Sequence, residues 1–284
     1  MGGFPAQRGA IKEDNIKIGI NKWDFDKFGF VETNLDWRVL QEEEKLPFRT
    51  KEWWETQHIC WAHNRTMSPR QARQFGGTAL FSINKATHRA IEKGQDPSNL
   101  GRWSWTRYKG KGNHTLTILV AYRPNPPQGP HTVYAQHNAY FHSINRNICP
   151  RRAFVVDLIE ELIRIKEQGD HILLLIDGNS NMKNSDLASA VTQSHLKEMI
   201  LDRHRTSGPA THKRNSTSTP IDGIWASPGL QIDNGGYFGY DEVFHNTDHH
   251  CLWIDISFLC AFGHNMPPPC TKGNPKDCTA RTHD

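Results

Sequence analysis

Residues 153–181 read AFVVDLIEELIRIKEQGDHILLLIDGNSN, an amphipathic helical pattern followed by a short apolar run. In the helical part, which is predicted over residues 153–168, apolar residues recur at three- and four-residue steps and charged residues occupy the other face. Gly169 is placed to end this helix. The run from His171 to Ile176 is almost entirely apolar, as in a strand covered on both faces. A helix that leads into such a strand is typical of a layered α/β fold.

Other segments extend this layered pattern in both directions. Helices are predicted over residues 11–23 and 187–200, and the polar segment at residues 203–219 is predicted to be a loop. Strands are predicted at residues 28–32, 78–83, 103–108, 115–122, 221–226 and 251–257. Because strands outnumber helices and helices separate some of them, the order favours an α/β domain over a helical bundle or an all-β barrel.

Length, charge and hydropathy limit the classes of protein to be considered. The 284 residues are 36% hydrophobic, which is enough for a substantial core, and the net charge of +4 is only a mild bias toward polyanionic partners. We find no signal-peptide pattern and no apolar run long enough to span a bilayer. The expectation is an intracellular protein, nuclear or cytoplasmic and not secreted, with no membrane partner. Composition divides the chain into a domain at residues 1–258 and a Pro/Gly/Lys-rich tail or linker at residues 259–284.

Acidic and polar residues cluster where the predicted strands end. Mg²⁺ takes hard oxygen ligands, usually one or two carboxylates together with substrate phosphate. Cleavage of a phosphate ester also needs a base, charge stabilisation and a proton donor. Each cluster alone is better explained as a turn, but the ordered set of four favours a site. The clusters are Glu32-Thr33-Asn34, Asp177-Gly178-Asn179, Asp222 and Asp248-His249.

The order of six short motifs resembles the endonuclease/exonuclease/phosphatase superfamily, which includes deoxyribonuclease-like enzymes. The motifs are FVETN, GGTAL, ILVAYRPN, LLLIDGNSN, PIDGIWAS and NTDHHCL. ETN, and IDG in place of the usual IDY, are most similar to retrotransposon-associated endonuclease domains. The resemblance implies a four-layer α/β sandwich of two packed mixed β-sheets flanked by helices, and a cofactor that is Mg²⁺, with Mn²⁺ as the alternative.

The resemblance also implies metal-binding residues and groups that touch the phosphate. Glu32 would bind the metal ion, and Asp248 would lie at the second metal position. Tyr122 would contact the scissile phosphate.

Three polar residues and a histidine complete the implied catalytic set. Asp177 would activate the attacking water, and Asn179 would hydrogen-bond the phosphate or that water. His249 would donate to a phosphate oxygen, with Asp222 as the partner that orients it. The residue types support this last pair independently, because a carboxylate beside an imidazole raises the pKa of the imidazole.

The chain departs from the family pattern at its start. The family's first strand carries an asparagine in an N-x-x-G pattern that helps to bind the metal. If Gly3 is the glycine of that pattern, the asparagine falls before Met1. The expectation is a fragment that lacks the first strand, from a longer retroelement protein in which a reverse transcriptase follows. Thr247 replaces the usual serine before the Asp-His pair and keeps the hydroxyl.

Polar and basic residues form a candidate substrate track. Phosphate contacts are commonly made by such side chains, although a solvated charged surface explains them about as well. Trp103 and Trp105, which interleave with some of them, are expected to be core residues. The candidate substrate-binding residues are Asn34, Arg107, Lys109, Lys111, Lys213 and Arg214.

Three hypotheses about function follow. The leading one is a Mg²⁺-dependent DNA endonuclease of retroelement type. The second is a phosphatase or phosphodiesterase acting on inositol or lipid head groups, because one fold serves both substrate classes. The third is a truncated, inactive domain that binds nucleic acid without cutting it.

Overall fold

The structure, a computed structural model, describes residues 10–66, 73–204, 210–213, 219–244 and 247–265. Its helices are α1 (Ile11–Lys22), α2 (Leu46–Arg49), α3 (Val133–Ser143), α4 (Pro150–Glu167), α5 (Asp186–Gln193), α6 (Met199–His204) and α7 (Phe258–Phe262). Its strands are β1 (Lys27–Val31), β2 (Gln57–Ala62), β3 (Thr78–Ile83), β4 (Ala90–Gln95), β5 (Trp103–Lys109), β6 (Thr115–Tyr122), β7 (His171–Asp177), β8 (Lys197–Glu198), β9 (Asp222–Ala226), β10 (Ile232–Tyr237) and β11 (Leu252–Ile256). Short 3-10 helices occupy Glu42–Glu44 and Asn84–Arg89.

A six-stranded mixed sheet contains β7, and helix α4 packs on one of its faces. Its order is β4-β5-β6-β7-β9-β8. The pair β6–β7 is parallel and the other pairs are antiparallel. On its outer face, Phe154, Leu158 and Leu162 of α4 pack against Leu174 and Ile176 of β7, so the amphipathic stripe of α4 is buried as its period predicted.

Two smaller antiparallel sheets cover the inner face. One has the order β1-β3-β2, and the other pairs β10 with β11. Leu80 of β3 and Ile254 of β11 belong to one apolar cluster with Val120 and Leu173 of the large sheet. On the far side of the three-stranded sheet, Ile20 of α1 joins a second cluster with residues of β1 and β3. The result is the predicted four-layer α/β sandwich, with the second sheet layer divided into two parts.

The further strand predicted at the start of the chain stays a prediction. Among the described residues, β1 pairs with β3 and β11 pairs with β10, and each has a second edge without a strand partner.

Most predicted elements are confirmed with small differences at their ends, but the helix predicted over residues 187–200 is wrong. Helix α5 ends at Gln193, and β8 and α6 follow. His195 has a left-handed backbone with φ of 65°, which ends the helix. The carboxylate of Glu198 then accepts the backbone N–H of Ile224 at 3.1 Å and so holds the new strand against β9. Tertiary contacts override the local helical pattern here.

The domain boundary expected at residue 258 stays a prediction, because most of the expected tail lies outside the described residues. Helix α7 begins at that residue, and its Ala261 and Phe262 are buried in the apolar cluster between the sheets. The packed region therefore extends at least to Phe262. None of the helices in the described ranges is both long and apolar enough to cross a membrane.

A buried ion-pair network supports the first part of the large sheet. The guanidinium of Arg102 is 1% exposed and contacts Asp96 through Nε at 2.7 Å and Asp157 through Nη1 at 2.7 Å. Burial alone would raise the pKa of Asp96, but Arg102 lowers it below its usual value. The backbone oxygen of Arg102 also accepts the N–H of Tyr122 at 2.8 Å, which links the network to the end of β6.

We expect Arg102→Met to lower the free energy of unfolding by about 3–5 kcal/mol, because it leaves the buried carboxylate of Asp96 without its cation. Urea unfolding measures the loss. Arg146→Met is the matched control: Arg146 contacts the same Asp157 but its side chain is 36% exposed, so the loss should stay below about 1 kcal/mol. Equal effects of the two substitutions would contradict the prediction.

Candidate active site

Three predicted site residues lie in a row at one end of the large sheet. Tyr122 is the last residue of β6, Asp177 is the last of β7, and Asp222 is the first of β9. Tyr122 is the register partner of Asp177, and Asp177 is the register partner of Asp222. Neighbouring register partners present their side chains on the same face of a sheet. The fold therefore brings together residues that are far apart in the sequence.

His249 joins this row through a contact with Asp222. Its Nδ1 lies 2.9 Å from Oδ2 of Asp222. Ligand-type atoms of Asp177, Asp222 and His249 all lie within 4.8 Å of one another. Burial lowers the pKa of His249, but the charge and hydrogen bond of Asp222 outweigh burial and raise the pKa to about 9. The imidazole is therefore protonated at neutral pH and can donate from its second nitrogen.

Asp177 is the most buried acid of the group, at 3% exposure. Burial, followed by the negative charges of Asp222 and Glu32, raises the pKa of this carboxyl well above its usual value. Only His249 and the backbone N–H of Asn179, at 3.0 Å, act in the opposite direction. A buried carboxylate with a raised pKa beside other acids is a candidate base or cation ligand.

Glu32 and Tyr122 form a second pair beside Asp177. Glu32 directly follows β1 and has a left-handed backbone with φ of 53°, an unusual conformation for glutamate that turns the chain toward the site. The hydroxyl of Tyr122 donates to Oε1 of Glu32 at 2.5 Å. Burial, then the charges of Glu32 and Asp177, raises the pKa of Tyr122 above its usual value. The tyrosine therefore keeps its proton and holds the glutamate in place.

Two arginines that the sequence analysis did not single out hold the loop after β7. Nδ2 of Asn179 donates to the backbone oxygen of Arg123 at 2.7 Å. The guanidinium of Arg151 donates to the backbone oxygens of Pro124 at 2.6 Å and of Asn179 at 3.0 Å. The loop after β6 is thus tied to the loop after β7. Arg123 is the arginine of the YRPN motif, so that motif could have indicated it. No local sequence pattern indicates Arg151, which lies at the start of α4.

Asp248 lies next to the Asp177/Asp222/His249 group and contacts a histidine that sequence reasoning missed. Oδ2 of Asp248 is 3.3 Å from Nε2 of His212. Burial raises the pKa of Asp248, but His249 and His212 contribute to a net lowering. Lys213, a candidate substrate residue, donates its backbone N–H to the oxygen of Asp248 at 2.7 Å, and its Nζ lies 3.9 Å from Asp241. Arg214 lies outside the described residues.

The structure does not bring the basic hairpin residues to this site. Arg107 donates from Nη2 to Asp170 at 2.8 Å, and Asp170 precedes β7 at the end opposite Asp177. Asp170 is buried, so it requires a cation there. Lys109 ends β5 at that same far end of the sheet, and Lys111 lies in the turn that follows. The structure therefore places these three residues away from the acidic centre, and their role in substrate binding stays a prediction.

Asn34 makes structural contacts with the loop before β3, and its predicted contact with substrate stays a prediction. It is buried, and its backbone is left-handed, with φ of 57°. Its Oδ1 accepts the N–H of Gly76 at 2.7 Å, and its N–H donates to the oxygen of Gly76 at 2.8 Å. This pairing braces the turn after Glu32 against the loop before β3, so Asn34 positions the glutamate.

The donor set fits a divalent cation. Glu32, Asp177, Asp222 and Asp248 supply hard carboxylate oxygens, and the negative charges of Asp222 and Glu32 add to burial in raising the pKa of Asp177. A divalent cation among them would remove this repulsion. Glu32 and Asp177, with Asp248 at the margin, are the residues that would hold it.

The chain is similar in fold to solved structures named as endonuclease/exonuclease/phosphatase family proteins, although its sequence is only 12–14% identical to theirs. Solved structures of that superfamily align over most of this chain, which confirms the resemblance at the level of the fold.

Three of these structures illustrate the different kinds of protein that share this fold. A Neisseria 3′ phosphatase, NExo, bound to product DNA hairpin, has a TM-score of 0.60 at 12% identity, covering 88% of this chain and 96% of NExo. The Xenopus laevis APE2 catalytic domain has a TM-score of 0.58 at 15% identity, covering 87% and 90%. A mannosyl-6-phosphatase from Bacteroides thetaiotaomicron has a TM-score of 0.56 at 15% identity, covering 87% and 91%. No protein-family model and no curated protein sequence matches the chain.

We expect Glu32→Gln to weaken Mg²⁺ binding by at least about tenfold, because it removes a ligand charge while its amide oxygen can still accept from Tyr122. Isothermal titration calorimetry measures the affinity. Glu92→Gln is the matched control, because Glu92 pairs with Arg107 at the far end of the sheet. An unchanged affinity in Glu32→Gln would remove this residue from the metal site.

Proposed function

We propose that the chain is a Mg²⁺-dependent phosphodiesterase that cuts DNA, an endonuclease of the retroelement type. The observation that supports this most directly is the meeting of Asp177, Asp222 and His249 within 4.8 Å at one end of the sheet. A buried base and a protonated imidazole side by side are the two proton-transfer groups that hydrolysis of a phosphodiester needs.

The residues divide the chemistry among them. Asp177 takes the proton of the attacking water as its oxygen bonds to phosphorus. His249, held by Asp222, donates its hydrogen bond to a phosphate oxygen and stabilises the negative charge that develops there. As the bond from phosphorus to the leaving oxygen breaks, that oxygen takes up a proton from a solvent water molecule. A bound divalent cation supplies further neutralisation of the phosphate charge.

DNA as the substrate is supported by cationic groups around this acidic centre. The guanidinium of Arg151 contacts the backbone oxygen of Asn179 on one side. On the other side, Lys12 of α1 is close enough to Asp248 for the two charges to interact. Cations on both sides of a hydrolytic centre match a polyanion that extends past the cleaved bond. The Neisseria relative, a 3′ phosphatase bound to DNA, has the same fold.

A phosphatase acting on a sugar or inositol phosphate is the second candidate. The similarity to the Bacteroides mannosyl-6-phosphatase favours it, since that structure aligns almost as well as the DNA-bound one. Such an enzyme needs the same acids and histidine but no extended cationic track.

One experiment separates the candidates. Purified chain is incubated with Mg²⁺ and, separately, with supercoiled plasmid, an abasic duplex, an inositol polyphosphate and mannose 6-phosphate. Asp177→Asn and a chelator are the negative controls. We expect nicking of plasmid or duplex that both controls abolish. Release of inorganic phosphate without nicking would favour the second candidate, and no turnover of any substrate would favour the inactive nucleic-acid-binding domain.

A further inference from the structure

A second group of metal-ligand side chains lies on the other side of His249. His212, Asp248 and His249 each offer one ligand atom, and these atoms lie within 4.8 Å of one another. All three residues are partly accessible to solvent. This group shares His249 with the acidic centre but contains two imidazoles and one carboxylate, a different donor set.

The distances suit a tetrahedral ion. Two ligand atoms on one tetrahedral zinc ion, each about 2.1 Å from it, lie roughly 3.4 Å apart. Nε2 of His212 and Oδ2 of Asp248 are 3.3 Å apart. The imidazole rings of His212 and His249 meet at an interplanar angle of 63° with 4.6 Å between centroids, so their nitrogens can approach one point without stacking.

Asp222 orients the imidazole of His249 for binding a metal ion. Because Nδ1 of His249 is hydrogen-bonded to Asp222, Nε2 is the nitrogen left to bind an ion. A carboxylate behind a ligating imidazole sets its tautomer and increases its basicity toward metal.

The backbone holds the three residues together before any ion binds. His212 and His249 form a β-bridge. The N–H of His250 donates to the oxygen of Thr211 at 2.8 Å, and the N–H of Lys213 donates to the oxygen of Asp248 at 2.7 Å. The oxygen Oγ1 of Thr211 also accepts the N–H of Asp222 at 3.0 Å, so the same segment fixes the supporting carboxylate. A site on such a rigid frame loses little entropy when it binds an ion.

We propose that His212, Asp248 and His249 form an inhibitory Zn²⁺ site. Imidazole with one carboxylate suits zinc, whereas Mg²⁺ prefers oxygen ligands alone. Zn²⁺ therefore binds this group and Mg²⁺ binds the neighbouring acidic centre. Zinc on Nε2 of His249 occupies the nitrogen that must carry a proton toward the phosphate, so it blocks hydrolysis. The inhibition rests on the proposed function, whereas the zinc site itself does not.

Binding is measured first and without substrate. Zn²⁺ is titrated by calorimetry into the full chain in excess Mg²⁺, and Co²⁺ is titrated in parallel while its visible absorption bands report the coordination geometry. We expect His212→Gln to weaken Zn²⁺ binding by at least about tenfold, the scale of losing even an indirect support of a metal ligand. Lys213→Gln is the matched control, since its Nζ faces Asp241 and the ring of Tyr240 instead.

Two results would overturn the proposal. Parent-like Zn²⁺ affinity in His212→Gln excludes this histidine as a ligand. Zinc affinity that is lost in Asp177→Asn but kept in His212→Gln places the ion in the acidic centre instead.

Inhibition is measured second, as the Zn²⁺ concentration that halves each protein's own Mg²⁺-dependent rate. We expect that concentration to rise at least about tenfold in His212→Gln, in step with the affinity. Strong zinc binding without any parent turnover would count against the proposed function and leave the zinc site standing. Turnover that zinc bound at this site does not inhibit would overturn the inhibitory role.

Discussion

Asp177→Asn is expected to lower phosphodiester turnover at least about a hundredfold, the usual scale for a general base. The amide keeps the shape of the carboxyl and can still accept the N–H of Asn179, which lies 3.0 Å from Oδ1. It cannot take a proton from water, and it brings no charge to a cation. Plasmid nicking under single-turnover conditions measures the loss. Turnover within about tenfold of the parent would contradict the role of base.

The same substitution should leave the melting temperature unchanged or raise it when no divalent cation is present. Burial and the charges of Asp222 and Glu32 raise the pKa of Asp177 in the folded chain above its usual value of 3.8. A group with a raised folded pKa costs stability once the pH exceeds its unfolded pKa, because the unfolded chain ionises first. Asparagine removes this cost at neutral pH. A variant that is both inactive and less stable would indicate a disturbed fold rather than a lost base.

His249→Ala is expected to lower turnover by a similar factor of at least about a hundred, because no other group replaces its hydrogen bond to the developing charge. His250→Ala is the matched control. His250 stacks on Tyr240 with 3.7 Å between ring centroids, and its Nδ1 contacts the backbone oxygen of Phe238 at 2.5 Å, so it faces away from the reacting groups. Comparable losses in the two variants would show that the effect is structural.

The pH dependence of the parent gives a second measure of His249. Because its pKa is about 9, the imidazolium is present below that pH and the rate should fall as the pH rises through it. Asp222→Asn removes the charge that raises this pKa, so the fall should move to lower pH. If the fall in rate at alkaline pH does not move in Asp222→Asn, that fall does not report the titration of His249 beside Asp222.

Local patterns in the sequence predicted the elements that carry the site. The amphipathic stripe of α4 and the apolar run of β7 are short-range signals, and both are confirmed. The helix predicted over residues 187–200 failed, since no local pattern marks the left-handed turn at His195. Strands β2, β4 and β10 and helices α2, α3 and α7 were not predicted.

The contacts of polar side chains also depend on partners that are distant in the sequence. Arg107 was predicted to contact phosphate, and in the structure it pairs with Asp170, which lies 63 residues away in the sequence. Asn34 is held by Gly76, 42 residues away. His212 lay in a segment predicted to be a loop, and only the β-bridge to His249 brings it beside the site. The catalytic roles of Asp177, Asn179, Tyr122 and His249 stay predictions.

The amino-acid sequence by itself determined which functional groups are available and at which strand ends they stand, since strand periodicity and turn chemistry are local. The tertiary structure decided their charge states. The raised pKa of Asp177 and the pKa of about 9 for His249 depend on burial and on carboxylates from other strands, at distances that only the register of β6, β7 and β9 sets. Electrostatic energy depends on separation in space and on exposure to water, and neither quantity follows from spacing along the chain.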